Sequence, residues 1–172
     1  MGARTAIVMV ALVAAASVSV AGCTKTDTAA GKTAAESVTV TDQWVKAAPT
    51  GMTALFGTLK NSGKGEVVVE SATSPVAGMV ELHEVVGEAG STTMRPKEGG
   101  FSIPAGGTHL LVPGGDHIML MDLKQPLQVG TDVAVTLTFT DGSTLPVSAQ
   151  VRDFSGAQEN YQPGGHPAGH HG

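Results

Sequence analysis

The sequence predicts a single all-β domain, built as an antiparallel β-sandwich or a Greek-key barrel. Three observations favour this class. Short strand candidates recur along the chain and are separated by Gly, Pro, Asn and Asp. No segment shows a sustained apolar period of about 3.6 residues, which an amphipathic helix requires. Aromatic residues make up only 3% of the chain, whereas Gly, Ala, Val and Thr are plentiful, which is typical of strands joined by tight turns.

The 172 residues are enough for one domain with a core and too few for two. We divide them into a signal peptide (residues 1–22), a flexible tether (23–36), the β-domain (37–154) and a disordered tail (155–172). The formal net charge is −5 and no basic cluster is present, which argues against nucleic acid as a partner.

The first segment has the order of parts found in an export signal. MGAR gives a short basic start, TAIVMVALVAAASVSV is an apolar run of signal-peptide length, and VAGC follows. Cys23 is the only cysteine, and its position resembles the bacterial lipobox, in which the cysteine becomes the lipid-modified first residue. The resemblance implies an exported protein, lipid-anchored on the outer (periplasmic or extracellular) face of the cell membrane. The alternative is an ordinary signal peptide that contains a cysteine.

The tether, which includes TKTDTAAGKTAAE, has few large side chains and no apolar period. The domain then contains nine strand candidates: SVTVTDQWV, TALFGTLK, EVVVESAT, MVELHEVV, GFSIPAGG, THLLVPGG, HIMLMDL, DVAVTLTFT and TLPVSAQVRD. The tail is rich in Gly and Pro and has too little apolar surface to fold. Its three histidines, His166, His170 and His171, form either a Cu(II)-binding site or a merely polar terminus.

The stretch DHIMLMDL carries the first chemical signal. In a strand, His117, Met119 and Met121 point to one face, while Ile118 and Leu120 point to the other. A methionine on such a face usually fills a gap in a core, so this stretch alone does not predict a metal site.

A second pair of residues completes the pattern. Ten residues separate His83 from Met94, a spacing that fits a strand, a turn through GEAGS and a return strand. A hairpin of this kind beside His117 and Met119 would form a pocket of two imidazoles and two thioethers. Such soft, uncharged ligands select Cu(I), and a thioether needs no deprotonation to bind it.

Several other residues are weaker candidates for a role at the metal site. Met121 is either core or a spare donor, and His109 is expected to be a surface strand residue. Glu81 and Glu84 flank His83 and are interpreted as solvated surface charges, although a carboxylate can also orient a metal-binding imidazole. Trp44 is expected in the core.

Two further methionines, Met52 and Met79, stand near strand starts. Nothing in their spacing makes either of them a ligand.

These residues strongly resemble the PCuAC family of exported copper chaperones, whose signature is H-x10-M-x21-H-x-M. His83, Met94, His117 and Met119 match it, except that 22 residues separate Met94 from His117, in a stretch with two Gly-rich turns. The resemblance covers about residues 37–152 and extends to MTALFGTLKNSG and VELHE. It implies a cupredoxin-like fold with these four residues as Cu(I) ligands.

The sequence thus predicts an extracytoplasmic Cu(I) chaperone. By resemblance, its recipient is the copper site of a cytochrome oxidase, reached directly or through a Sco-like protein. The domain contains no cysteine, so it lacks the thiolate of a blue-copper electron carrier. The alternatives are a copper-sequestering resistance lipoprotein and a non-metal structural lipoprotein. An enzyme is not expected, because no nucleophile with an adjacent base and no paired carboxylates are found.

Overall fold

A computed structural model describes residues 31–87, 92–156 and 160–161. Within them lie one short helix and eleven strands: α1 (Ala34–Ser37), β1 (Val38–Lys46), β2 (Thr53–Asn61), β3 (Val67–Thr73), β4 (Ala77–Val86), β5 (Thr93–Pro96), β6 (Phe101–Ile103), β7 (Thr108–Leu111), β8 (His117–Leu123), β9 (Asp132–Phe139), β10 (Thr144–Arg152) and β11 (Asn160–Tyr161). The prediction of an all-β fold is confirmed. The described residues contain no helix with the length and hydropathy that a bilayer crossing requires.

The strands are hydrogen-bonded in the order β11-β5-β4-β8-β2-β1-β10-β9-β3-β6. β2 lies near the middle of this order and pairs with three strands. Its first residues pair with β8, its later residues pair with β7, and its other edge pairs with β1. β8 therefore has β2 on one side and β4 on the other.

The sequence analysis expected antiparallel strand pairs only, but two of the described pairs are parallel. β1 runs parallel to β10, and β11 runs parallel to β5. Parallel neighbours need a long connection between them, and β1 and β10 have one because they stand at opposite ends of the domain.

The two faces of β8 enter different apolar clusters. Ile118 and Leu120 belong to the main core. Met119 and Met121 belong to a second cluster. Its buried members are Ala54, Phe56, Met94, Met119 and Met121, with Trp44 and Val85 packed against them. The predicted alternation along DHIMLMDL is thus confirmed, with the difference that both faces are buried.

The helix α1 occupies residues that the sequence analysis placed in the tether. A capping box joins Thr33 to Glu36, and these hydrogen bonds lower the pKa of Glu36. The backbone N–H of Ala34 donates to Asp141 Oδ2 at 2.7 Å, and that of Ala35 donates to Ser143 Oγ at 3.0 Å. Because these partners lie in the β9–β10 connection, the folded part begins before residue 37.

The chain after β10 also has described structure, although the sequence analysis placed residues 155–172 in a disordered tail. Phe154 packs edge-on against Trp44 at 5.2 Å between ring centroids, and Lys46 Nζ donates to the carbonyl of Gly156. Asn160 and Tyr161 pair with β5, whose edge offers free backbone groups to a further strand. Segments 1–30 and 162–172, which hold Cys23 and the three tail histidines, lie outside the described residues.

Candidate metal centre

The strands β4 and β5 form the antiparallel pair that the sequence predicted around His83 and Met94. His83 lies opposite Pro96, and Val85 lies opposite Met94. Val85 is two residues from His83, and directly opposed residues in a sheet share a face. His83 and Met94 therefore point to the same face from neighbouring strands.

The strand β8 brings the second pair to that face. His83 lies directly opposite His117, and Glu81 lies opposite Met119. The two imidazoles are 5.5 Å apart between ring centroids and inclined at 69°. All four residues singled out from the sequence thus lie together on one face of β5, β4 and β8.

Each of the four side chains is buried. The exposed fraction is 0% for His83, 6% for Met94, 3% for His117 and 3% for Met119. Three of them line a pocket of about 130 Å³ that opens to solvent, whereas His83 is not among the described residues lining it. The other lining residues are Lys46, Ala47, Ala48, Met52, Thr53, Ala54, Phe56 and Gly114. A group entering from solvent would therefore meet the two thioethers and His117 before it met His83.

Hydrogen bonds define which imidazole nitrogen carries a lone pair. His117 Nδ1 lies 2.9 Å from the carbonyl oxygen of Gly115, which can only accept, so Nδ1 carries the proton. His83 Nε2 lies 2.8 Å from Glu81 Oε2, so the proton of His83 lies on Nε2. A metal ion held by the two imidazoles would therefore bind His117 Nε2 and His83 Nδ1.

Glu81 is therefore more than the solvated surface charge that the sequence analysis assigned. It faces the site from β4, and its carboxylate holds the imidazole of His83 while 27% of its side chain stays exposed. Metal-binding histidines commonly donate their second N–H to such a carboxylate, which fixes the ring and raises its basicity.

Glu84 lies on the other face of β4 and does not take part. It pairs with Arg95 at 2.9 Å and with Lys97 at 3.2 Å. The hydrogen bond from Arg95 lowers the pKa of Glu84, and the Lys97 ammonium adds to this effect. Lys97 also reaches Asp116 at 3.2 Å, so this network links the β4–β5 pair to the start of β8.

The weaker candidates are placed elsewhere or in supporting positions. Met121 is buried in the second cluster opposite Met79 and is not among the described lining residues. His109 on β7 is partly buried rather than exposed. Its Nδ1 donates to the carbonyl of Ser102 at 3.0 Å, and its ring stacks on Phe101 at 4.9 Å. Trp44, which was expected in the core, is partly buried and packs against Phe56 at 4.7 Å between ring centroids, at the edge of the second cluster.

The available donors limit the chemistry. Within the described residues, no three His, Cys, Asp or Glu side chains are grouped as a metal ion would need. The two imidazoles lie instead beside the thioethers of Met94 and Met119. Among the described residues lining the pocket, Lys46 alone is charged, which disfavours a hydrated divalent cation.

The sequence analysis gave no functional role to two of the lining residues, Lys46 and Met52. Met52 reaches the pocket because the start of β2 pairs with β8, where Ala54 lies opposite Met119, and Lys46 reaches it from the end of β1, beside Thr53 of β2. The pairing of β2 with β8 joins strands more than sixty residues apart in the chain, so no local pattern could have predicted it.

Comparison with known proteins places these features in a family. The LpqE-like family model, whose description contains the word lipoprotein, matches residues 38–151. A relative from Leifsonia xyli subsp. xyli (strain CTCB07), Lxx21020, also has lipoprotein in its name. It is 55% identical over 128 residues, covering 74% of this chain and 77% of the relative.

Solved structures of similar fold agree with this match. Apo-DR1885 from Deinococcus radiodurans is 35% identical with a TM-score of 0.55, covering 88% of this chain and 98% of that one. The Cu(I) form of DR1885 is 37% identical with a TM-score of 0.52, covering 76% and 89%. The copper-bound PCuAC domain of PmoF2 is 20% identical with a TM-score of 0.59, covering 71% and 97%, and shows the fold alone. The predicted cupredoxin-like sandwich is thereby confirmed.

Proposed function

The chain belongs to the LpqE-like family and has the fold of PCuAC domains, and from this premise we propose that it is an extracytoplasmic Cu(I) chaperone. In this proposal His83, Met94, His117 and Met119 bind the ion, and the protein passes it to a partner. One observation carries the proposal: these four side chains lie buried on one face of three adjacent strands.

The donor set favours Cu(I) as the cargo. Two neutral imidazoles and two thioethers add no charge, and soft thioethers suit a soft monovalent ion better than Zn²⁺ or Cu²⁺. Neither thioether must lose a proton to bind copper, and the hydrogen bonds to Glu81 and Gly115 engage His83 Nε2 and His117 Nδ1 and hold both rings in place. Copper should therefore stay bound in acid until the histidines protonate.

The pocket supports transfer by stepwise ligand exchange. An incoming donor would enter beside Met94, His117 and Met119, which line the pocket. His83 lies behind them, fully buried and held by Glu81. The thioethers would thus be displaced first and His83 last, so that no free ion is released.

We place the protein on the outer face of the cell membrane, anchored through a lipid on Cys23. The names of the family and of the Leifsonia relative support this assignment. The recipient we propose is the copper site of a cytochrome oxidase, met directly or through a Sco-like protein. A second, Cu(II)-binding role for His166, His170 and His171 remains part of the proposal. A Cu(II) titration of a chain ending at Phe154 would remove it if the stoichiometry were unchanged.

X-ray absorption of the Cu(I)-loaded protein tests the site directly. Mixed nitrogen and sulfur scattering is expected, and scattering from oxygen and nitrogen alone would contradict the proposal. A matched pair of variants, Met119→Leu and Met121→Leu, sharpens the test because both methionines are buried in the same cluster on the same strand. Removing a ligand should lower Cu(I) affinity more than removing a residue that supports a ligand, which costs roughly 10- to 100-fold. Met119→Leu should therefore weaken Cu(I) binding at least about tenfold. Met121→Leu should not weaken it.

Delivery and sequestration differ in their genetic consequences. Deleting the gene should impair oxidase assembly when copper is scarce if the protein delivers copper. Reduced survival at high copper with normal oxidase assembly would instead identify a sequestering protein.

A further inference from the structure

Met52 is an exposed methionine at the mouth of the pocket. It immediately precedes β2, its side chain is 44% exposed, and it lines the same pocket as Met94, His117 and Met119. Exposed single apolar residues are ordinary on protein surfaces. Its position beside three proposed copper ligands is what distinguishes this one.

The backbone holds Met52 in this position. Ala54 and Phe56 belong to the second apolar cluster, and a spacing of two residues directs Met52 toward the same face. On the side of β8, the N–H of Leu123 donates to the carbonyl of Gly51 at 3.0 Å. On the side of β1, Thr53 Oγ1 donates to the carbonyl of Lys46 at 2.6 Å. The residues flanking Met52 are thus tied down, while its side chain projects at the pocket mouth.

Met79 offers an internal comparison. Its exposed fraction, 45%, equals that of Met52 within one per cent, but it lies opposite Met121 on β4 and is not among the described lining residues. Among the described residues there are therefore two exposed methionines, one at the pocket and one away from it.

We propose that Met52 is a transient Cu(I) ligand through which copper enters and leaves the buried site. This inference rests on the proposed function. The thioether is neutral and soft, and its unbranched side chain can turn toward either the pocket or a docked partner. On entry, a Cu–S bond to Met52 forms as a bond to the donor protein breaks, and it is then exchanged for Met94 or Met119. Copper stays Cu(I) throughout, so no electron is transferred, and the Met52 thioether gains and loses no proton; a thiol partner exchanges its own protons with solvent.

The burial of the four ligands explains why such a residue is needed. With exposed fractions between 0% and 6%, none of them projects from the surface, so a partner's donor group can meet them only by entering the pocket past Met52. With Met52 at the mouth, the Cu(I) ion in transit is bound to a thioether instead of being bare or hydrated. This lowers the activation barrier both for copper capture and for copper release.

The test compares Met52→Leu with Met79→Leu in the full chain. Cu(I) affinity is measured by competition with a chromogenic Cu(I) chelator. Stopped-flow absorbance then follows loading from that chelator and withdrawal of Cu(I) by a dithiol peptide. Met52→Leu should slow both steps about tenfold, equivalent to about 1.4 kcal/mol of barrier. Because the loading rate and the withdrawal rate fall together, the equilibrium affinity for Cu(I) should change by a smaller factor than either rate. Met79→Leu should match the unmodified protein.

Methyl NMR supplies a readout that a structural role would not move. With substoichiometric Cu(I), the ¹³C-labelled methyl signal of Met52 should broaden by exchange, and that of Met79 should stay sharp. Unchanged rates in Met52→Leu, with Cu(I) bound and transferred normally by the unmodified protein, would overturn this inference alone. So would an affinity loss as large as the loss in loading rate, since Met52 would then be a resident ligand. Failure of the unmodified protein to bind Cu(I) would overturn the proposed function itself.

Discussion

Replacing Glu81 tests whether its carboxylate prepares His83 for copper. Glu81 Oε2 lies 2.8 Å from His83 Nε2, and the imidazole is fully buried, so removing the carboxylate releases both the ring orientation and the proton position. Loss of such a supporting group costs roughly 10- to 100-fold in metal affinity. A hydrogen bond to a charged group contributes about 1.5–3 kcal/mol, which corresponds to a similar range.

The partial exposure of Glu81 narrows this range. With 27% of the side chain accessible, solvent screens part of the interaction, so we expect the lower half of the range for Glu81→Ala, roughly 10- to 30-fold. Glu81→Gln keeps an acceptor oxygen but not the charge, and its affinity should fall between those of the unmodified protein and Glu81→Ala. Competition with a chromogenic Cu(I) chelator, under anaerobic conditions at fixed pH, measures each value.

Glu84→Gln is the matched control. Glu84 also flanks His83, but it lies on the opposite face and pairs with Arg95 and Lys97. Its replacement should leave Cu(I) affinity within about threefold of the original, because among the described residues its carboxylate contacts Arg95 and Lys97 and not the proposed ligands. If Glu81→Ala bound Cu(I) as tightly as Glu84→Gln, with the same circular dichroism, the orienting role of Glu81 would be refuted.

Three further predictions concern stability and reactivity. Asn61 is fully buried and donates hydrogen bonds to the carbonyls of Gly65 and Ile103. Asn61→Ala should therefore lower the free energy of unfolding, measured by urea titration, by about 2–4 kcal/mol. A decrease below about 1 kcal/mol would contradict this role. The hydrogen bond from the Ala34 N–H, followed by those from Ser143, lowers the pKa of Asp141. Asp141→Asn should therefore lower the melting temperature near neutral pH, and the difference should shrink as the pH falls below about 3.9 toward the folded-state value; a difference independent of pH would refute this. Dilute peroxide should oxidise Met52 and Met79 before Met94 and Met119 in peptide mass spectra, because only the first pair is exposed; equal rates would count against the buried site.

Local sequence signals predicted the strands and the two pairs of residues that form the candidate site. The alternation of DHIMLMDL assigned Ile118 and Leu120 to one face and Met119 to the other. The ten-residue spacing predicted the antiparallel neighbours that carry His83 and Met94. These features depend on residues close together in the chain, where periodicity and turn residues are informative.

Features that depend on distant partners could not be predicted in the same way. The capped turn at Ala34 is held by Asp141, more than a hundred residues away. The position of Glu81 beside the site follows from the pairing of β4 with β8, which directs Glu81 and His83 to one face. The position of Met52 at the pocket follows from the pairing of β2 with β8. Register between remote strands is decided by the packed core as a whole, and a single sequence does not reveal it.

The separation of the two apolar clusters by a sheet has a consequence for protein engineering. Residues that hold the sandwich together, such as Ile118 and Leu120, point away from the residues proposed to bind copper. Substitutions in the second cluster therefore change buried side chains on one face of the sheet, and the side chains of the main core stay the same. Libraries that vary Ala54 and Met121 can thus be screened for altered metal preference without changing a side chain of the main core.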